Sequence, residues 1–220
     1  MATFLSICQK VDTLLGSQGA FTSVTTTNGF QLMIVEYVKN AWNNIQSTRK
    51  DWNFYRKTQS FSTVASQMNY TVNDVFSTSV DPVENWVVDR FIKDSDLSTL
   101  EYVPYDRWII EDHTTAREPK HFTVHPSSST GYLSFDNPDD VYTYTLHYFR
   151  KPQELSGNTD VPICPTEHHD LIVWQALSDL AQHFGNTDMY SMAAVRANQL
   201  YSNLLRSQCP AKSIKLRPFA

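Results

Sequence analysis

The residues best equipped for chemistry in this 220-residue chain are its seven histidines and three cysteines. His168 and His169 stand beside Asp170, and His183 follows further along the same segment. Those residue types suit a small intracellular metal-dependent hydrolase, in which imidazole and carboxylate hold an ion that polarises water. Their spacing works against it. Adjacent helical positions point about 100° apart and His183 lies roughly four turns away, so one ion cannot readily collect all of them. His113, His121, His125 and His147 fall on separate strand and loop positions, where no joint site is expected. Cys164 would need a histidine to become a nucleophile, and Pro162 and Pro165 bracket it at a strand end, which favours an inert thiol. The chain has no Gly-rich phosphate loop, nucleophile elbow or H-E-x-x-H motif. The expectation is a building block, not an enzyme, with no catalytic residue, metal ligand or cofactor.

The elements that must position these residues are clearest between Val141 and Leu205. Tyr142 to Phe149 is dense in aromatic and β-branched residues and predicts a strand. After Pro165, Thr166 stands where an N-cap belongs, and Val173, Leu177, Leu180 and Phe184 recur at helical spacing. Gly185 and Asn186 stop that helix and Thr187 is expected to cap the next, whose stripe is Tyr190, Ala193, Ala197, Leu200 and Leu204. So short a connection turns the two helices back on each other. Near the start, Thr3 caps a helix carrying Phe4, Cys8, Val11 and Leu15, ended by Gly16. A second runs from Phe30 through Ile34, Val38, Ala41 or Trp42, and Ile45. Between them and the later pair, strands are expected at Lys57 to Val64, Asn85 to Ile92, Phe122 to His125 and Gly131 to Phe135, with a short amphipathic helix over Leu100 to Ile110 and a charged loop from Glu111 to Lys120.

The fold class expected is therefore α+β: an antiparallel helical bundle of about four helices with an inserted antiparallel β-region and an extended C-terminal tail. The helices are placed at 3–16, 30–49, 166–185 and 187–206, the β-rich insertion at 51–150, and 1–208 is treated as a single domain with 209–220 as tail. Aromatics make up 13% of the chain and charged residues 19%, a composition that folds. A net charge of −5 without basic clusters gives no grip on a nucleic-acid backbone. Three scattered cysteines without a C-x-x-C pair suggest a reducing compartment. No apolar run reaches membrane-spanning length and no secretory signal opens the chain, so a soluble protein made inside a cell is expected.

Certain landmarks, taken together, form a family pattern. A pair of amphipathic helices leads into Ala41-Trp42-(x)2-Ile45-Gln46-(x)5-Trp52-(x)-Phe54, followed by β-structure. The chain closes with the strand Thr145 to Phe149, then Pro152, then Ile163-(x)-Pro165-(x)2-His168, then the helix Leu171 to Phe184 with Ala176-Leu177. Over nearly its whole length this resembles the head-to-tail adaptor (connector) proteins of tailed bacteriophages, the short-tailed type above all. The resemblance implies a structural virion protein assembled in the host bacterial cytoplasm. It further implies a homo-oligomeric ring of about twelve copies, seated between the portal protein and a tail or nozzle protein, lining a channel that DNA crosses without specific binding. A neck or tail-terminator ring protein is the alternative of the same class.

Two contact surfaces follow. The β-insertion carries more aromatic surface than a small sheet must bury, so Trp86, Tyr105 and Trp108 are expected at a subunit or tail interface. Beyond Pro210 the tail has no helical period. Ile214 and Leu216 would share one edge of an extended segment, with Lys215 and Arg217 on the other. Adaptors of the family it resembles dock on the portal through C-terminal segments. The tail is accordingly expected to enter a portal groove, with Lys212, Lys215 and Arg217 facing acidic residues and Phe219 anchoring the end.

Overall fold

The computed structural model describes residues 2–17, 21–76, 83–126 and 133–209. Its helices are α1 (Phe4–Leu14), α2 (Phe30–Ser47), α3 (Val72–Val75), α4 (Tyr105–Trp108), α5 (His169–His183) and α6 (Thr187–Gln208). Its strands are β1 (Arg56–Ser62), β2 (Asn69–Tyr70), β3 (Val83–Trp86), β4 (Ile92–Lys93), β5 (Glu101–Tyr102), β6 (His121–Val124), β7 (Leu133–Phe135) and β8 (Thr143–Arg150). The chain divides into two compact units: a helical one from residues 1–54 and 152–220, and a sheet unit from 55–151.

In the helical unit α5 touches each of α1, α2 and α6. Its sequence explains the central place. Leu171, Ile172 and Val173 are buried in succession, as are Ala176, Leu177 and Ser178, so buried surface wraps the helix instead of forming one stripe. Phe184, expected on the seam, is half exposed and instead touches the Phe30 ring. By contrast α6 buries only Ala193, Ala197 and Leu204 along 22 residues, and Tyr190 of the expected stripe lies outside.

Capping differs in detail from the sequence expectation. Asn186, not Thr187, caps α6 by accepting the Met189 amide at 3.1 Å. Thr166 opens a 3-10 turn, Thr166–His168, that precedes α5, and caps nothing with its side chain. At α1 the Thr3 hydroxyl accepts the Ser6 amide. The Phe4 and Leu5 amides donate to the carbonyls of Asp160 and Asn158, so a distant loop satisfies the orphan donors of that helix end.

The family landmarks meet in this unit. Phe54 stacks on both Trp42 and Trp52, and Trp52 meets Tyr201 of α6 edge-on. Gln46, 1% exposed, exchanges both hydrogen bonds with the backbone of Gln153, donating at 3.0 Å and accepting at 2.7 Å.

The sheet unit contains two sheets, β1-β8-β3 with β4 also on β8, and β2-β7-β6-β5. All pairings are antiparallel except β5 with β6. β8 alternates as a half-buried strand must, with Tyr144, Leu146 and Tyr148 inward. Phe135 of β7 lies 5.7 Å from Phe61 of β1 and 5.8 Å from Tyr144 of β8, and these rings join the two sheets.

Two expectations need correction here. Asn85 to Ile92 is not one strand: β3 shifts register between Val83 and Asn85, a 3-10 turn follows at Val88–Arg90, and β4 then resumes on β8. Leu100 to Ile110 is not one helix either. Pro104 has no amide to donate and drives Val103 to extended backbone, so β5 precedes it and only the four residues of α4 follow.

Candidate functional site

The histidines first considered for a hydrolase are occupied separately. The Ser207 hydroxyl donates to the Leu204 carbonyl, so its oxygen accepts from His168 Nε2 at 2.8 Å. His169 Nε2 donates to the Cys164 carbonyl at 3.0 Å. Asp170 pairs with Lys10, and His183 packs beside the rings of Tyr37 and Phe184. Partners on different elements leave these four residues without a common centre. Burial pushes the Cys164 thiol up to about 12, which keeps it protonated and unreactive. An open groove near His183, lined by Asn40, Asn43, Asp179 and Gln182, offers amides but no activated nucleophile.

In the sheet unit, two histidines assigned by sequence to unrelated positions do come together. His113 and His121 converge on Asp136, the residue that follows β7. Asp136 is completely buried and its carboxylate accepts five hydrogen bonds. Oδ1 receives His113 Nδ1 at 2.7 Å and the Arg117 guanidinium at 3.1 Å. Oδ2 receives the amides of Lys120 and His121 and His121 Nδ1, each at 3.0 Å. Burial by itself would raise this carboxyl. The donors from Lys120, His113, His121 and Arg117 outweigh that and hold it down at about 2.

Two histidines and a carboxylate are also a metal-ligand set, so the fit can be tested. Both oxygens of Asp136 are already filled by N–H donors, among them the Nδ1–H of both histidines. A cation would displace those donors and sit against the Arg117 guanidinium. The arrangement is that of a hydrogen-bonded anion hub, and it does not fit a metal ion. Sequence reasoning missed Asp136 because its donors come from an aperiodic loop and the first residue of β6. The only local sign is an acid directly after Leu133-Ser134-Phe135, a short strand sequence with apolar residues at both ends.

The hub holds a surface. The Trp108 ring lies flat on His113, with centroids 3.6 Å apart and planes 4° from parallel. Asn137 reinforces the same loop, its amide donating to the His113 carbonyl and its side chain to the Thr114 carbonyl. Immediately past Trp108 the chain turns outward, leaving Ile109 64% and Ile110 83% exposed. Among the interface residues expected from sequence, Trp86 belongs to the sheet-unit core, and Trp108 is 8% exposed. Tyr105 is half-buried against the His125 ring at 4.3 Å. The apolar surface available near them is Ile109 and Ile110. The expected portal-binding residues Lys212, Ile214, Lys215, Leu216, Arg217 and Phe219 lie outside the described residues. Among the described residues, no helix is long and apolar enough to cross a membrane.

A protein-family model described as SU10 adaptor protein matches residues 2–216, which takes in both units. No curated protein matches the chain.

Proposed function

The chain belongs to the SU10 adaptor family, that of a phage head-to-tail adaptor, and from that premise we propose that it works as a ring between portal and tail. About twelve copies surround the channel in this reading. DNA crosses that channel without being gripped, because a chain of net charge −5 repels phosphate on balance and Lys212, Lys215 and Arg217 are committed to the portal in this reading. The observation that carries the proposal is the extent of the family match, residues 2–216.

Residues 209–220 are the portal-docking segment in this proposal. Lys212, Lys215 and Arg217 meet acidic portal residues, while Ile214, Leu216 and Phe219 fill an apolar groove. Removing 209–220 and measuring binding to the purified cognate portal ring tests this. Loss of binding with unchanged thermal stability is the expected result, and full binding by the shortened chain overturns it. Negative-stain images of the portal complex test the ring itself.

A further inference from the structure

The Ile109–Ile110 turn is the least economical surface among the described residues. Two adjacent isoleucines stand in water at 64% and 83% exposure, and burying them would remove apolar surface from water. The turn is also stiff. The amides of Ile109, Ile110 and Glu111 donate to the carbonyls of Tyr105, Arg107 and Arg107, and Trp108 is clamped through His113 to the buried Asp136. A rigid apolar tip loses little conformational freedom on docking, the property of an interface anchor.

Charge indicates what covers it. Between Glu101 and Asp112 the chain carries Glu101, Asp106, Glu111 and Asp112 against the single Arg107, which is already paired with Glu111. Two such acidic-rimmed tips repel, so the turn does not pair with its own image. On α6 the balance is reversed beyond its first turn. Asp188 is its one acid, at the N-terminal end, and from Met189 to Cys209 the only charges are Arg196 and Arg206. Met192 and Val195 are 56% and 58% exposed there, and positions 192, 195, 196 and 199 share one helix face. Arg196 and Arg206 line a groove of about 440 Å³ that continues along the same helix. Apolar residues with a cationic flank match an apolar tip with an anionic rim, and a flexible methionine adapts to it.

We propose that the Ile109–Ile110 turn of one copy docks on the Met192–Val195–Arg196 face of α6 in the neighbouring copy. The two patches differ, so the contact is heterologous and propagates head to tail, as closing a ring requires. This inference rests on the ring reading and names the surfaces by which the ring is joined.

Cysteine pairing of full-length chains tests it. Ile110→Cys and Val195→Cys are made separately in a Cys209→Ser background, where the remaining Cys8 and Cys164 are buried. The two variants are mixed, assembled on the cognate portal ring, oxidised mildly and run on a non-reducing gel. A two-chain adduct in the mixture, absent from either variant alone, is the expected result. Rings seen by electron microscopy without the adduct overturn the docking pair and leave the ring reading standing. Absence of rings with the unmodified chain and portal removes both. As an independent measure, Ile110→Asp should lower neighbour association at least about tenfold without shifting the thermal melt. Normal association of that variant would also overturn the proposal.

Discussion

Replacing Asp136 with Asn removes the charge from the hub while keeping its shape. The carboxyl titrates at about 2 in the folded chain against an ordinary 3.8, which corresponds to about 2–3 kcal/mol favouring the folded, ionised state. The sign follows from the direction: a depressed carboxyl stabilises fully above its unfolded value and loses that contribution as pH falls through its folded one. An amide in its place has one acceptor oxygen. If that oxygen faces the Lys120 and His121 amides, the new NH2 opposes His113 Nδ1 and Arg117, which were both donating. His113 can then switch tautomer, and Arg117, 43% exposed, can turn to water. The loss at pH 7 is therefore put near the charge term, about 2–3 kcal/mol. Urea denaturation followed by tryptophan fluorescence should show the sheet-unit transition moved down by about 1–2 M. Hydrogen exchange should quicken at the Lys120 and His121 amides. Repeating the titrations from pH 7 to pH 2.5, the gap between wild type and variant should begin to close below about pH 4. A gap below about 0.5 kcal/mol at pH 7, or one unchanged at pH 2.5, would refute the hub's energetic role.

Two further predictions address the helical unit. Gln46→Ala strips the Gln153 backbone of both its partners in a buried place and should cost about 2–4 kcal/mol in a urea titration, whereas a loss below about 1 kcal/mol would show that water replaces them. Burial pushes the Cys8 and Cys164 thiols up to about 12, so in the native chain at pH 8 only Cys209 should react promptly with a disulfide reagent, with all three reacting in guanidinium. Fast native labelling of Cys8 or Cys164 would contradict the packing described.

The long helices were legible in the sequence because their signals are local. Gly16 ends α1 and Gly29 enters α2, both at positive φ, while helical spacing marks the buried residues of α1 and α2. The alternation of β8 was equally plain, since a strand buried on one face writes a period of two into its residues. Even the shortening of the Leu100–Ile110 helix was available locally, in Pro104.

What only the tertiary structure decided is which groups meet and what covers each face. Asp136 collects donors 15 to 23 residues away, from a loop with no period and from the first residue of β6, so no spacing could announce it. Ile109 and Ile110 have the composition of core residues, yet they stand in water because the neighbouring Trp108 takes the inward place on His113. Periodicity reports that a chain has an apolar face. Only the assembled fold determines whether that face is closed by its own elements or left for a partner, because burial depends on contacts between segments far apart in sequence.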